Sequence, residues 1–224
     1  MSNIDQPTNR VTHYVSKDIQ VLDTVSAIRK RPGMYLSPHK KHPEAPPRVY
    51  SMLWDVIDFF LQHGSKRILI NLGLLNNTVE VSGYTQSTEL LTVVRSVEHV
   101  PMGTVKPRFD IADREIPEYT IRGSVGLVVA NCLCSIFNID LENEFSRLPL
   151  EYREGRIQHY LFSKEDSNKS VIDFTYAKIY MKPDETIFKD MDRECVEITD
   201  STYISNYLEA HLPKTCGYQI MTWI

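Results

Sequence analysis

The stretch Val21–Ser37, VLDTVSAIRKRPGMYLS, decides how the rest of the chain is interpreted. In its first half, apolar residues recur at helical spacing, with an acidic residue in the first turn and two basic residues in the last turn. Pro32 and Gly33 follow, and this pair ends helices. The stretch therefore predicts a short amphipathic helix followed by a basic elbow.

The composition limits the class of protein. The chain has 224 residues, of which 42% are hydrophobic and 24% are charged, so we expect a soluble globular protein with one large domain favoured over two small ones. The net charge of −4 argues against nucleic acid as the main ligand, although Arg29–Arg31 and His39–His42 are locally basic. Without a signal peptide or a membrane-length apolar run, we expect a cytoplasmic protein whose four cysteines are reduced.

The order of the predicted elements indicates an α+β fold with helices on one face of a mixed sheet. The polar residues 1–15 are expected to form a flexible arm, and the prolines in residues 101–119 predict a long loop. The first two strands are joined by Leu74–Asn77, which is a hairpin signal. After the first helix, the predicted helices are 47–63, 88–97, 123–137 and 201–211, and the predicted strands are 67–72, 78–82, 140–144, 156–162, 171–181 and 218–224.

The segment AIRKRPGMYLS, residues 27–37, resembles the opening of the ATPase domain of gyrase B and the type IIA topoisomerases, within the GHKL superfamily. The resemblance runs from about Ser16 to the C-terminus. It implies one domain over residues 16–224, a two-layer α/β sandwich of the Bergerat type. Further matching segments follow in the family's order: VYSMLWDVID (49–58), SVGLVVANCL (124–133), YREGRIQHYLF (152–162) and KIYMKPDETIF (178–188).

The resemblance also implies where an ATP site would lie, and the first helix of that site departs from the family. The general-base Glu falls on Asp55, whose side chain is one methylene shorter; displacing a reacting group by about 1 Å can cost on the order of a hundredfold in rate. The Mg-binding Asn falls on Phe59, which offers no oxygen ligand. Asp58 is adjacent but points about 100° away on a helix. We expect Phe59 and Phe60 to fill part of the space for the nucleotide.

The parts of the family site that contact adenine and phosphate are altered as well. The adenine-reading Asp and its Gly-x-Gly run should lie in residues 82–87, which contain neither, and Tyr84 is a candidate to occupy the space. A Thr of the family site falls on Ala177. The glycine-rich turn that binds phosphates falls on 120–126, where Gly123, Ser124 and Gly126 remain and could hold a phosphate weakly at a helix N-terminus.

These departures lead to three hypotheses about function. The first is a gyrase-B-like domain without ATPase activity, which binds another protein or forms a homodimer through the N-terminal arm and needs no cofactor or metal. The alternative is an ATP-binding protein or slow ATPase with a rearranged site that uses Asp55, Asp58 and residues 123–126. The third is a nucleic-acid-binding module that uses the basic patch. Because the chain ends before the family's second domain, we expect no topoisomerase activity from it alone.

Overall fold

A computed structural model describes residues 22–36, 47–85, 122–145, 147–159, 175–191 and 197–224. Within these ranges the chain forms five α-helices, one short 3₁₀ helix and seven strands. The helices are α1 (Thr24–Lys30), α2 (Val49–Gln62), α3 (Arg122–Leu133), α4 (Glu185–Met191) and α5 (Ser201–His211), with the 3₁₀ helix at Pro32–Met34. The strands are β1 (Arg67–Gly73), β2 (Thr78–Tyr84), β3 (Cys134–Glu142), β4 (Arg147–Arg153), β5 (Arg156–His159), β6 (Tyr176–Pro183) and β7 (Gly217–Trp223).

All seven strands join one sheet in the order β5-β4-β3-β6-β2-β1-β7. Neighbouring strands are antiparallel except β1 and β7, which are parallel, so the sheet is mixed. One face of the sheet is apolar and buried beneath the helices. Cross-strand neighbours on that face form continuous rows, such as Leu150, Ile139, Ile179, Val81 and Ile70. The two-layer α+β prediction, with a mixed sheet, is confirmed.

Two helices begin at side-chain caps that the sequence supplies. Asp23 accepts a hydrogen bond from the backbone N–H of Ser26 at 2.8 Å at the start of α1, and Asp200 accepts one from Thr202 at 2.8 Å at the start of α5. Such caps satisfy backbone donors that the first turn leaves without partners. The elbow after α1 also forms as predicted, with Pro32 at the first position of the 3₁₀ helix.

The predicted helix over 123–137 is wrong at its C-terminal end, because α3 stops at Leu133 and β3 begins at Cys134. From Phe137 to Leu141 every second residue is fully buried, which is the period of a strand between two neighbours. The strand predicted at 140–144 is part of β3, which starts at Cys134 and ends at Glu142.

Strand β4 and helix α4 are absent from the sequence-based prediction. Leu148, Leu150 and Tyr152 alternate as buried residues, but Pro149 between them argues against a strand because it lacks an N–H. Among the described residues, β5 pairs with residues 151–153 of β4 and with none at Pro149, which accommodates the missing N–H. The predicted arm, the basic residues 39–42, the 88–97 helix and the 101–119 loop lie outside the described residues.

Candidate functional site

The site that the resemblance implies lies where α2 packs on α3 and on the sheet. Asp55 is only 5% exposed and lies directly against Gly126. A Cβ atom at Gly126 would come 2.6 Å from Asp55 Cβ and 2.8 Å from Asp55 Cγ. The close approach of α2 and α3 thus depends on the absence of a side chain at Gly126.

The remaining glycine-rich positions belong to α3 itself. Gly123 and Ser124 lie in the first described turn of α3, which starts at Arg122. Of the sequence-predicted site residues, the structure brings Asp55 and Gly126 into contact. The part of α3 that contacts Asp55 is therefore a regular helix with a tight packing point.

Asp58 is directed elsewhere. Its Oδ1 accepts a hydrogen bond from the hydroxyl of Tyr207 in α5 at 3.2 Å. The indole of Trp54 stacks on the ring of Tyr207 with centroids 3.9 Å apart and planes 2° apart. Asp58 therefore helps to join α2 to α5.

Phe59 and Phe60 are both fully buried, and their rings meet edge to face at 5.3 Å. Phe59 also packs on the ring of His63, with centroids 4.5 Å apart. An aromatic ring enclosed in this way offers no oxygen to a metal ion. In the part of the chain that the structure describes, no group of three or more acidic, His or Cys side chains is arranged to hold a metal.

Gly83 belongs to the segment where the resemblance places adenine recognition, and it is a neighbour of Ala177, where a Thr of the family site falls. Gly83 of β2 pairs with Ala177 of β6, and both belong to the helix-facing side of the sheet. A Cβ atom at Gly83 would lie 2.9 Å from the backbone oxygen of Arg67, 3.2 Å from Ser65 Oγ and 3.3 Å from Phe60 Cδ1. The space beside Gly83 is thus filled by the protein itself.

The expectation that Tyr84 occupies this space is wrong. Tyr84 is 71% exposed and its ring packs on Tyr176 with centroids 5.1 Å apart. Successive side chains in a strand point to opposite faces, so Tyr84 lies on the other side of the sheet from Gly83. Ser65 lies beside Gly83 instead, and its hydroxyl donates to the carbonyl oxygen of Tyr84 at 2.7 Å.

The contacts around Phe59 and Gly83 determine whether the described residues have room and ligands for a magnesium-bound nucleotide. A magnesium-bound nucleotide needs an oxygen ligand where Phe59 stands, and an acceptor with room for a ring beside Gly83 and Ala177. The buried aromatic rings provide neither. The described residues therefore do not fit ATP and Mg²⁺ bound in the manner that the resemblance implies.

A second group of motif residues meets at Arg29. Its guanidinium contacts the carboxylate of Asp184 at 2.5 Å, donates to the carbonyl oxygen of Cys132 at 2.9 Å and lies 3.9 Å from a carboxylate oxygen of Glu154. Gly155, with a φ of +80°, packs so closely that a Cβ atom there would come 2.8 Å from Val25. The four elements involved are α1, α3, the β4–β5 turn and the start of α4, and we call this cluster the Arg29 junction.

The charge of Asp184 is maintained by its partners. Burial acts to raise the pKa of this carboxyl, but hydrogen bonds from Thr186 and Arg29 outweigh it and lower the pKa below its ordinary value of 3.8. The Oγ1 and backbone N–H of Thr186 donate to Asp184 at 2.6 and 3.0 Å. Because Arg29 is committed to the junction, it is not available to bind nucleic acid as the third hypothesis requires.

The three cysteines in the described part of the chain are not reactive nucleophiles. Cys132, Cys134 and Cys216 are free thiols. Burial raises the pKa of the Cys132 thiol to about 12 and also raises the pKa values of Cys134 and Cys216. These thiols are therefore protonated and poor nucleophiles at neutral pH.

No helix among the described residues has the length and apolarity needed to cross a membrane.

Sequence comparison finds relatives among the gyrase B proteins. The chain is 24% identical over 194 residues to the gyrase B protein of Spiroplasma citri, covering 80% of this chain and 27% of that protein. It is 22% identical over 197 residues to the gyrase B protein of Halalkalibacterium halodurans, covering 79% and 27% respectively. The chain thus spans about a quarter of the length of these relatives. No protein-family model matches it.

Structural comparison leads to the same group. The fold resembles that of the gyrase B protein from Myxococcus xanthus, with a TM-score of 0.59 and 14% identity, over 88% of this chain and 52% of that one. At this identity the likeness concerns the fold. By sequence and by fold together, the chain is a gyrase-B-like domain.

Proposed function

We propose that this gyrase-B-like domain does not hydrolyse ATP and acts by binding another protein or a second copy of itself. The observation that carries the proposal is the filled space beside Gly83, where atoms of Phe60 and Ser65 lie within 3.3 Å of the position that a Cβ atom would take. An adenine ring could enter only if the core beneath α2 opened. Breaking fully buried aromatic packing costs several kcal/mol, about 3–5 for loss of a Phe side chain.

The metal position supports the same conclusion. Phe59 is fully buried where the family has its oxygen ligand, and the nearby Asp58 is hydrogen-bonded to Tyr207. Water activation, metal binding and adenine recognition act on one transition state, so their losses combine. We therefore expect no ATP turnover by the chain.

The retained motif residues have a structural role. Arg29 and Asp184 come from two segments that carry the resemblance, and they hold α1 and α4 together. Gly155 of a third segment packs on Cys132 of a fourth. The resemblance thus persists where it maintains the shape of the domain, and it fades where a nucleotide would bind. A domain of this kind is suited to presenting a fixed surface to a protein partner.

Residues 1–15 are the binding segment that we propose. The arm is mainly polar, and Tyr14-Val15 provides its apolar anchor. A short segment of this composition gains order only when a partner surface offsets its conformational entropy. With the nucleotide space filled, ATP has no route to control such binding.

Sedimentation of the full chain and of a chain lacking residues 1–15, each with and without MgATP, tests this proposal. We expect the truncated domain to stay folded, to lose affinity for its partner or second copy, and to ignore ATP in every case. Arm-dependent association that appears only with ATP would contradict the proposal, and so would identical association of the two chains.

The alternative, a slow ATPase with a rearranged site, is favoured by one observation. The carboxylate of Asp55 remains beside α3, in contact with Gly126. That hypothesis requires turnover that disappears in Asp55→Ala while the fold persists. An ATP turnover assay on the parent and on Asp55→Ala therefore distinguishes the slow ATPase from the inactive binding domain.

A further inference from the structure

Strand β7 forms one edge of the sheet and has the properties of an unprotected edge. It pairs in parallel with β1 from Gly217 to Trp223 without a register shift, and within the described ranges no strand pairs with its other side. Natural edge strands usually carry charges, proline or bulges that prevent pairing with other chains. The segment 217–224 has none of these, and its apolar side chains are exposed: Tyr218 36%, Met221 41%, Trp223 47% and Ile224 87%.

The register with β1 identifies which backbone groups of β7 face outward. The N–H of Gly217 donates to the oxygen of Lys66 at 2.9 Å, and the oxygen of Trp223 accepts from Leu74 at 3.1 Å. Because alternate residues of a strand bond to the same neighbour, the odd-numbered residues of β7 bond to β1. The N–H and C=O groups of the remaining residues, Tyr218, Ile220 and Thr222, point to the free edge.

We propose that β7 pairs antiparallel with β7 of a second copy of this chain, around a twofold axis at Ile220. In this register Ile220 lies opposite the partner's Ile220, and Tyr218 lies opposite the partner's Thr222. Every outward group then meets an outward group, which gives about six hydrogen bonds across the axis, two for each of three opposed pairs. Of the possible self-pairings, this one overlaps the whole of the strand.

The side chains fit the same register. On the open face of the sheet, Trp223 comes opposite the partner's Gly217. A Cβ atom at Gly217 would meet nothing within 4 Å, so the large indole lies opposite open space. On the helix-facing side, the opposed residues are β-branched or aromatic, which stabilises cross-strand pairs.

Charge and symmetry select a second copy as the occupant. The absence of charged residues in 217–224 means that a self-pair brings no like charges together. A twofold pair is also closed, since each copy uses its free β7 edge, and closed isologous dimers are the commonest assemblies. The exposed Leu74, whose N–H donates to Trp223, extends the apolar surface at the end of the strand.

Sedimentation velocity over a range of protein concentrations tests the pairing with Thr222→Pro and its matched control Thr222→Ala. Proline removes the outward N–H at Thr222 and no hydrogen bond to β1, whereas alanine keeps that N–H. Two hydrogen bonds are lost in each dimer, so we expect the dissociation constant to rise about ten- to a hundredfold for Thr222→Pro. Thr222→Ala loses only the side-chain contact with the partner's Tyr218, so its dissociation constant should rise much less than that of Thr222→Pro.

Amide hydrogen exchange gives a second measurement that needs no variant. Protection at Tyr218, Ile220 and Thr222 should increase with protein concentration, while protection at Gln219 and Met221 should not. In the chain lacking residues 1–15, the concentration-dependent protection at these three amides should remain, which separates β7 pairing from any additional association through the arm. A chain that stays monomeric, a dimer that tolerates Thr222→Pro, or concentration-independent exchange at the three amides would overturn the proposal.

Discussion

The side chain of Asp55 lies directly against Gly126, and a Cβ atom at position 126 would come 2.6 Å from Asp55 Cβ. Gly126→Ala should therefore destabilise the domain by about 1–3 kcal/mol, because α2 and α3 must separate to admit a methyl group. The better helix propensity of Ala offsets only about 1 kcal/mol of this cost. Chemical denaturation measures the change. Gly217→Ala, where an added Cβ meets nothing, is the control and should leave stability nearly unchanged.

A gain in stability for Gly126→Ala would show that α2 and α3 are not held together at this point.

Phe60→Ala tests whether the filled space beside Gly83 stabilises the domain. Phe60 is fully buried, so we expect a loss of about 3–5 kcal/mol in the free energy of unfolding. Phe145→Ala is the matched control, because Phe145 is 91% exposed and its loss should change stability by less than about 0.5 kcal/mol. Similar effects of the two substitutions would contradict the packing described for α2.

Asp184→Asn tests the Arg29 junction. The substitution keeps the size of the side chain and removes its charge, so we expect a loss of about 1.5–3 kcal/mol by thermal or chemical unfolding. The Arg29 side chain is 22% exposed and Asp184 9%, so water only partly screens this pair. Arg147→Ala breaks a pair with Asp140 in which the Arg is 61% exposed, and it should have a much smaller effect. An equal loss of stability in both variants would mean that the Arg29 junction stabilises the domain no more than an exposed ion pair does.

The same carboxyl predicts a pH dependence. The pKa of folded Asp184 lies below the ordinary value of 3.8, so the unfolded chain binds the proton first as the pH falls. The stabilising contribution is therefore complete above about pH 5 and is lost as the pH falls below 3.8 toward the folded pKa. The unfolding free energies of the parent and Asp184→Asn should converge in acid.

Asp23 also has a lowered pKa, mainly because of the Ser26 N–H, but it is present in both proteins and cancels in their difference. If the difference in unfolding free energy between the parent and Asp184→Asn stays constant into the acid range, the charge of Asp184 does not stabilise the folded domain.

How much of this could be predicted differs between fold and site. The β1–β2 hairpin and α5 follow from period and turn residues within a few positions, so the sequence alone predicts them. The boundary between α3 and β3 could not be found, because the run from Leu127 to Phe137 has no Gly or Pro between helix and strand. Helix α3 ends at Leu133 because the residues that follow it pair as β3 with β4 and β6.

The site shows the same division. The departures from the family's pattern at Phe59 and Ala177 are visible in the sequence once the resemblance is known. The contact of Asp55 with Gly126 and the pair of Arg29 with Asp184 join residues far apart in the chain, and no local pattern encodes them. The sequence predicts that Phe60 fills the space, but it gives no signal for its partner Ser65, because a lone Ser after a helix is a common loop residue.

The most direct test of the central claim, that this gyrase-B-like domain has no working ATP site, is a calorimetric titration of the full chain with MgATP, followed by a turnover assay on the same sample. We predict no saturable heat and no phosphate release, in the parent and in Asp55→Ala alike. Saturable binding of one nucleotide per chain, with turnover that Asp55→Ala abolishes, would contradict the account.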